Sequence, residues 1–301
     1  MPPILDNKSP SSPSVFAPAA LLREARRQKG LPVVDVPRVC IFDPDGDIVR
    51  RLKSSGRAKH FDAWPCYHTD LYTFTLGGET VGILGCVVGA PFAVLVAEEL
   101  FACGCSILIS LTSAGQIVPA GNPPYFVVID RALRDEGTSY HYAAPEQFAE
   151  ADPHVVAAVA DALKTAGLRT FVGPSWTTDA PFRETAEAVE AARANCILAV
   201  EMEAAALYTF ARRQSVTVLC LAHVTNTMGL ADGDFEKGEA DGTADALIIL
   251  ETVAKAMRSA ETARLSATST RRNSKRSHEC PLSGVKRTLR LRVLLMTQNG
   301  Y

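Results

Sequence analysis

The sequence predicts an α/β domain, and two observations support this fold class. Short apolar runs typical of buried strands recur along the chain and alternate with longer helix-forming stretches. Hydrophobic residues make up 47% of the 301 residues, which supports a substantial core. The chain therefore has the size of one large α/β domain or two small ones. No apolar run reaches the roughly 20 residues that a membrane-spanning helix needs, so no membrane contact is expected.

Apolar segments bounded by polar or glycine-containing turns predict seven strands. The second and third are separated by Gly77 and Gly78, a pair typical of a tight hairpin turn. The fourth is strongly apolar and is expected at the centre of the sheet. The predicted strands are Arg38–Phe42, Leu71–Leu76, Thr80–Val87, Ser106–Leu111, Phe126–Asp130, Arg169–Gly173 and Val216–Val224.

Six helices are predicted from helix-forming composition and from residues that begin and end helices. Gly30 and Pro32 end a short basic helix, and Asp45 or Asp47 is placed to favour the N-terminus of the next one. The predicted helices are Ala19–Lys29, Ile48–Lys53, Phe92–Phe101, Pro153–Ala166, Met202–Arg213 and Thr243–Met257.

Charge divides the chain into an acidic body and a basic end. Of 31 Lys and Arg and 33 Asp and Glu residues, nine basic and one acidic lie in 262–301, which leaves 22 basic and 32 acidic residues, a net charge of −10, before it. An acidic body argues against nucleic-acid binding by the main domain. We predict an N-terminal extension with a short helix over 1–36, a main domain over 37–260, and a basic, disordered tail over 261–301.

The eight cysteines lie mostly in apolar runs, which is typical of reduced, buried thiols in a cytoplasmic protein. Cys103 and Cys105 lack a second ligand pair at metal spacing, so no metal site is predicted. The Pro- and Ser-rich N-terminus lacks the basic-then-apolar pattern of a secretion signal. We therefore expect a cytoplasmic protein.

Two glutamates flank a methionine at the start of the Ala-rich helix. Glu201, Met202 and Glu203 follow the apolar run 196–200, so both carboxylates lie at the edge of a buried region. One interpretation is that the glutamates only suit the positive end of the helix dipole. The other is that a carboxylate here accepts hydrogen bonds from the paired hydroxyls of a sugar.

The stretch Glu201–Ala206 resembles the ribose-binding motif of the nucleoside phosphorylase superfamily, the group of uridine and purine nucleoside phosphorylases and related nucleosidases. Val87–Pro91, Thr112–Gly115 and Asp130–Tyr142 resemble further motifs of that group, in the same order. The resemblance spans about 38–257. It implies a three-layer α/β/α domain with a mixed, partly barrelled central sheet. It also implies a homo-oligomer built from dimers, up to a hexamer, with sites at subunit contacts.

The resemblance implies that the protein cleaves the ribosyl N-glycosidic bond of a nucleoside. Glu203 would bind the ribose 2′- and 3′-hydroxyls and stabilise the positive charge that develops on the sugar, while Glu201 and Met202 would complete the ribose site. Asn226, the second catalytic candidate, falls where purine-specific members carry an Asp that protonates the base. An amide cannot donate that proton as an acid, and uridine phosphorylases carry Asn there. The chain therefore looks nearer to uridine phosphorylases.

The family resemblance implies that the segment after the Arg169–Gly173 strand binds the base. Phe182 and Trp176 are the candidates for stacking on the base, and Arg183 is a candidate for hydrogen bonding a base carbonyl. For Trp176, ordinary core packing is an equal alternative.

The nucleophile remains open at this stage. Gly89, Ser110 and Ser113 are the candidates for binding phosphate or water. The three phosphate-binding arginines of the phosphorylases are absent from the positions where they are expected, namely Gly46 or Ile48, Tyr67 or His68, and Ser110. The nucleophile is therefore either inorganic phosphate, as a co-substrate, or water. With water, the protein would be a hydrolase. No cofactor is expected in either case. As a third option, Arg50, Arg131 or Arg134 could fold into the site and replace the missing phosphate-binding arginines. A nucleoside-binding protein without turnover is the alternative of another class.

Overall fold

The computed structural model describes residues 3–228 and 234–276, from residue 265 onward through the backbone alone. One compact unit covers Met1–Glu261. The strands of this unit are β1 Val39–Asp43, β2 Lys59–His60, β3 Tyr72–Leu76, β4 Glu79–Gly85, β5 Ile107–Gln116, β6 Tyr125–Asp135, β7 Phe148–Glu150, β8 Thr170–Thr178, β9 Ala199–Glu201 and β10 Thr217–Asn226.

Seven α-helices connect these strands or follow them in the described ranges. The helices are α1 Pro18–Lys29, α2 Asp47–Ser54, α3 Ala90–Ala102, α4 Pro153–Thr165, α5 Ala186–Ala194, α6 Ala204–Gln214 and α7 Thr243–Arg276. Short 3₁₀ turns form at Pro3–Leu5, Ser139–His141 and Pro181–Arg183.

The sheet closes on itself at one end. Its order is β10-β6-β8-β9-β5-β1-β4-β3-β2, and β10 also pairs with β5, so five strands form a closed barrel. Four further strands extend the sheet from β5, and β7 pairs with β6 at the side of the barrel. Parallel and antiparallel pairs occur in the same sheet: β1 is parallel to β4, whereas β3 is antiparallel to β4. Helices pack on this sheet around one large apolar core. The mixed, partly barrelled α/β/α fold is confirmed.

Several strands continue past their apolar sequence. β5 was predicted to end at Leu111, but Thr112–Gln116 stay in the strand because they pair with β10 and, at the end, with β9. The short strands β2, β7 and β9 and the helix α5 were not predicted. Strands of two or three residues carry no readable periodicity.

The tight turn predicted at Gly77 and Gly78 is found in the β3–β4 hairpin. Both glycines have positive φ, +57° and +82°. At α2 the structure confirms Asp47, which lies in the first turn of the helix, where a carboxylate suits the positive end of the dipole. The helix begins after Gly46, and the carboxylate that accepts an amide of the first turn is that of Asp43, from Val49 at 2.9 Å, rather than that of Asp45.

The chain end differs in part from its prediction. Whereas a disordered tail was predicted from residue 261, α7 continues to Arg276. The rest of that prediction, 277–301, lies outside the described residues. Among the described helices, none is both long and apolar enough to cross a membrane.

Candidate active site

Glu203 lies at the N-cap of α6 and is 1% exposed. Its Oε1 accepts a hydrogen bond from the Gly89 amide at 2.7 Å. Its Oε2 is buried and has no hydrogen-bond partner among the described residues. A buried carboxylate oxygen without a donor is costly, and it is satisfied when a ligand hydroxyl is supplied.

The environment of Glu203 favours its neutral form. Burial, and after it the negative charge of nearby Glu201, raises the pKa of Glu203 from 4.5 to about 8, against the opposing effects of the Gly89 amide, the Thr112 hydroxyl and the Met202 amide. The group therefore changes charge close to neutral pH, which is common at functional sites.

Glu201 is also buried, but its two oxygens are fully engaged. Oε1 accepts from the hydroxyls of Ser175, at 3.0 Å, and Thr177, at 2.5 Å. Oε2 accepts from the amides of Glu203 and Ala204, both at 2.7 Å. This carboxylate therefore fixes the backbone that carries Glu203, and its ribose role stays a prediction.

Ser175 and Thr177 hold a carboxylate of the candidate site, and the sequence analysis did not include them. They alternate with apolar neighbours on β8, so both point to the same face of that strand. Thr177 also accepts the amide of Ala205 at 2.9 Å, which ties α6 to the strand. In the sequence, the signal that could have indicated them is a pair of hydroxyl residues two positions apart.

Met202 lies half-buried between the two glutamates, and its ribose role stays a prediction. Asn226 ends β10 and is 8% exposed. Its amide oxygen accepts from the Met228 amide at 2.9 Å, and its Nδ2 donates to the Thr225 hydroxyl at 3.2 Å. The side chain orders the start of the following loop, and its catalytic role is untested.

The base-binding candidates separate into a buried and an exposed set. Trp176 is 4% exposed, packs in a small apolar cluster with Ile197 and Val200, and donates from Nε1 to Asp135 at 2.9 Å. This is core packing, so the structure does not offer the ring for stacking. Phe182 is 98% exposed and Arg183 is also exposed, on a 3₁₀ turn at the surface, and their roles stay predictions.

We expect Trp176→Phe to separate these roles. The variant keeps an aromatic face but loses the hydrogen bond to Asp135, so the free energy of unfolding should fall by about 1–2 kcal/mol while the KM for nucleoside stays unchanged. Chemical denaturation and steady-state kinetics measure the two quantities. Phe182→Ala is the matched comparison, because removing an exposed ring should change stability by less than about 0.5 kcal/mol. A large rise in nucleoside KM for Trp176→Phe would contradict the packing role.

The three candidates for holding the nucleophile are all engaged or inaccessible. The Gly89 amide is bonded to Glu203, and Ser113 donates its hydroxyl to the carboxylate of Asp45. Ser110 is 1% exposed, lies inside β5, and its hydroxyl has no partner among the described residues. Two of the three candidates are thus engaged by carboxylates and the third is buried without a partner, and their role in binding phosphate or water stays a prediction.

The turn between β1 and α2 forms a small acidic pocket with Ser113. Lys237 reaches into it, with Nζ 3.3 Å from Asp45 Oδ2 and 2.5 Å from Asp47 Oδ2. The pocket measures about 20 Å³, which is space for about one water molecule. Burial lowers the pKa of His223, on its wall, to about 4.

The candidate substitute arginines take different positions. Arg134 is 4% exposed and donates to Ser139 at 2.8 Å and to the Ala144 carbonyl at 2.7 Å, so it holds its own loop. Arg131 lies over the Phe148 ring at 5.0 Å. Arg50 alone of the three lines a cavity beside the acidic turn.

Comparisons with known proteins agree with this geometry. The family described as the Phosphorylase superfamily matches residues 19–262. The uridine phosphorylase of Thermococcus kodakarensis is 28% identical over 221 residues, 65% of this chain and 77% of that protein. The DeoD-type purine nucleoside phosphorylase of Roseobacter denitrificans is 31% identical over 162 residues, 52% of this chain and 67% of that protein.

Solved structures share the fold. Uridine phosphorylase from Vibrio fischeri aligns with a TM-score of 0.63 at 23% identity, over 74% of this chain and 95% of that chain. Purine nucleoside phosphorylase from Toxoplasma gondii, in complex with immucillin-H, aligns with a TM-score of 0.64 at 17% identity, over 76% and 93%. The barrel, the order of the motifs and the family match lead to one assignment: this chain belongs to the phosphorylase superfamily.

Proposed function

We propose that the protein cleaves the N-glycosidic bond of a nucleoside and transfers the ribosyl group to inorganic phosphate, without a cofactor. The observation that carries the proposal is the unpaired, buried Oε2 of Glu203. Relatives of this chain are named uridine phosphorylase and purine nucleoside phosphorylase, which supports the same reaction class.

Cleavage of this bond leaves positive charge on the sugar. The Glu203 carboxylate would accept the ribose hydroxyls through Oε2 and stabilise that charge at short range in a buried site. The Gly89 amide holds the other oxygen, and Glu201 holds the backbone of Glu203, so the carboxylate needs little rearrangement during the reaction. Met202 would pack against the sugar.

For the base, we propose a preference for uridine over purine nucleosides. Asn226 supports this, because an amide cannot act as the acid that a purine leaving group requires. Phe182 and Arg183 would contact the base. Rates with uridine and inosine, measured side by side, test the preference, and faster inosine cleavage would contradict it.

The nucleophile decides between two reaction types, and we expect base release to require phosphate. Incubation with a panel of nucleosides, with and without phosphate, should yield ribose 1-phosphate only when phosphate is present. Free base and the two sugar products are quantified by chromatography. Free ribose formed at equal rates without phosphate would contradict the proposal.

Hydrolysis is the second candidate, and one observation favours it. The acidic pocket at Ser113 has room for about one water molecule and carries the carboxylates of Asp45 and Asp47, which repel a phosphate dianion. The phosphate-dependence assay separates this candidate from phosphorolysis. Saturable nucleoside binding without any base release would indicate a nucleoside-binding protein that does not turn over its ligand.

We also propose a homo-oligomer that works in the cytoplasm. Exposed apolar side chains suit a subunit contact, among them Val88, which precedes Gly89 in the chain, Leu95 and Phe182. The described cysteines are all free thiols, which suits a reducing compartment. Sedimentation velocity at micromolar concentration tests the assembly, and a single monomeric species would contradict it.

A further inference from the structure

The chain segment 3–12 lies on the surface of the domain, and the chemistry proposed for the ribose gives it no role. It contains two turns of its own, in which the Asp6 amide donates to the Pro3 carbonyl at 3.2 Å and the Ser12 amide to the Ser9 carbonyl at 2.9 Å. The Ser9 and Ser12 hydroxyls are also hydrogen-bonded to each other, at 2.7 Å. We call this stretch the N-terminal segment. Its two ends contact different parts of the domain.

Arg213 anchors one end of the N-terminal segment. Its guanidinium donates from Nε to the Pro10 carbonyl and from Nη2 to the carbonyls of Ser11, at 3.0 Å, and Ser12, at 3.3 Å. A planar guanidinium that binds three successive carbonyls fixes the direction of the segment as well as its position. Arg213 lies in the last turn of α6, the helix that has Glu203 as its N-cap. The segment is thus fixed to a helix of the candidate site.

Ile4 places the other end of the segment against Gly137. A Cβ at position 137 would lie 3.2 Å from Ile4 Cδ1, which is tighter than an ordinary contact, so the missing side chain lets the isoleucine approach. The φ of Gly137 lies outside the left-handed region, so the backbone conformation at this position does not require glycine. The close contact with Ile4 is therefore the reason that a larger residue would not fit.

Gly137 is joined in turn to the stretch of chain that leads to the predicted base-binding residues. Its amide donates to Asp179 Oδ2 at 2.8 Å. Asp179 precedes the 3₁₀ turn Pro181–Arg183, which carries the base-binding candidates Phe182 and Arg183. Both of these side chains are exposed, so the position of the turn depends on the contacts of the residues that precede it.

We propose that the N-terminal segment positions the turn Pro181–Arg183 for binding the base, with Arg213 as the positioning residue. Arg213 fixes the segment, and Ile4 carries the support to Gly137. The Gly137 amide then holds Asp179, two residues before the turn. A turn that is held in place in the free protein loses less conformational entropy when it binds a ligand, so the ligand binds more tightly. The inference rests on the proposed function, because it takes this turn as the base site.

Hydrogen–deuterium exchange of the full chain tests the support without any substrate. In Arg213→Ala, we expect the amides of 136–139 and 179–183 to exchange about threefold to tenfold faster than in the wild type, because local opening then costs less free energy. Arg212→Ala is the matched control, since this neighbouring arginine donates to Glu146 at 3.2 Å and makes no hydrogen bond to the N-terminal segment among the described residues. Equal exchange in the wild type and Arg213→Ala would overturn the proposal.

Steady-state kinetics test the consequence for the base. Arg213→Ala and Gly137→Ala should each raise the KM for nucleoside about threefold to tenfold, with kcat and the midpoint of chemical denaturation close to the wild-type values. Gly137→Ala displaces Ile4 from the other end of the segment, so the two variants test the same support from both ends. A merely structural role would lower the denaturation midpoint and leave KM unchanged. That result, or equal KM values in all three proteins, would overturn the proposal.

The two measurements separate failure of this proposal from failure of the proposed function. If the wild type cleaves nucleosides but neither exchange nor KM responds to Arg213→Ala, the positioning is wrong and the proposed function stands. If the wild type cleaves no nucleoside but exchange at 136–139 still responds to Arg213→Ala, the segment supports the turn and the proposed function is wrong.

Discussion

Glu203→Gln should lower kcat/KM for nucleoside cleavage by about 10²–10⁴-fold. The substitution keeps the shape of the side chain but removes the negative charge that Glu203 carries above its pKa of about 8, so the two proteins are compared at about pH 9. Two ribose hydroxyls and the transition state would contact that charge. Two charge-assisted hydrogen bonds at about 1.5–3 kcal/mol each give this range. Steady-state kinetics with the most active nucleoside of the panel measure it. A loss below about threefold would remove Glu203 from the proposed chemistry.

The same variant carries a stability prediction of defined sign. The folded state holds a proton on Glu203 up to about pH 8, whereas the unfolded chain loses it near pH 4.5. Between these values the folded state binds more protons, so its stability is greatest at the acid end and falls as pH rises towards 8. Glutamine cannot ionise. We therefore expect the stability of Glu203→Gln relative to wild type to increase between pH 5 and 9, on the order of a few kcal/mol.

Denaturant unfolding of both proteins at several pH values checks this expectation. The comparison between variant and wild type isolates Glu203 together with its interacting neighbour Glu201, because groups that do not interact with this pair titrate equally in both proteins. Asp43 is one of them, since burial raises its pKa to about 7. Parallel stability curves for the two proteins would show that Glu203 does not titrate in this window.

Glu201→Ala should be among the most destabilising single changes in the domain. It removes the acceptor of four buried donors, the hydroxyls of Ser175 and Thr177 and the amides of Glu203 and Ala204. Unsatisfied buried donors cost about 1–3 kcal/mol each, and the two amides cannot turn away. Allowing the hydroxyls to find other partners, we expect a loss of about 3–5 kcal/mol in the free energy of unfolding.

Glu201→Gln is the control that separates geometry from charge. Its amide oxygen still accepts the two backbone amides, and the hydroxyls of Ser175 and Thr177 can rotate to accept from its nitrogen. We expect this variant to recover most of the stability and part of the kcat. A ligand role for Glu201 predicts a different pattern, in which Glu201→Ala folds with near wild-type stability but binds nucleoside poorly. Melting temperatures together with the separate changes in KM and kcat distinguish the two.

Local sequence predicts where the main strands begin, but it does not predict where they end. β1, β5, β6, β8 and β10 all begin within two residues of their predicted starts, because apolar, β-branched runs mark where strands enter a core. Their ends do not follow from composition. β5 and β10 continue through polar residues up to Gln116 and Asn226, where each pairs with partners that are distant in the chain.

The sequence by itself determined the α/β class, the superfamily resemblance and the choice of Glu203 as a candidate residue of the site, because these depend on short motifs and on periodicity. Tertiary structure alone decided the role of each carboxylate. Glu201 is saturated by hydroxyls from a strand about 25 residues earlier, whereas Glu203 keeps one free oxygen. Tertiary structure also brought Asp45 to Ser113, 68 residues later in the chain. These outcomes depend on which distant donors reach each oxygen after the barrel closes, and spacing along the chain does not encode that.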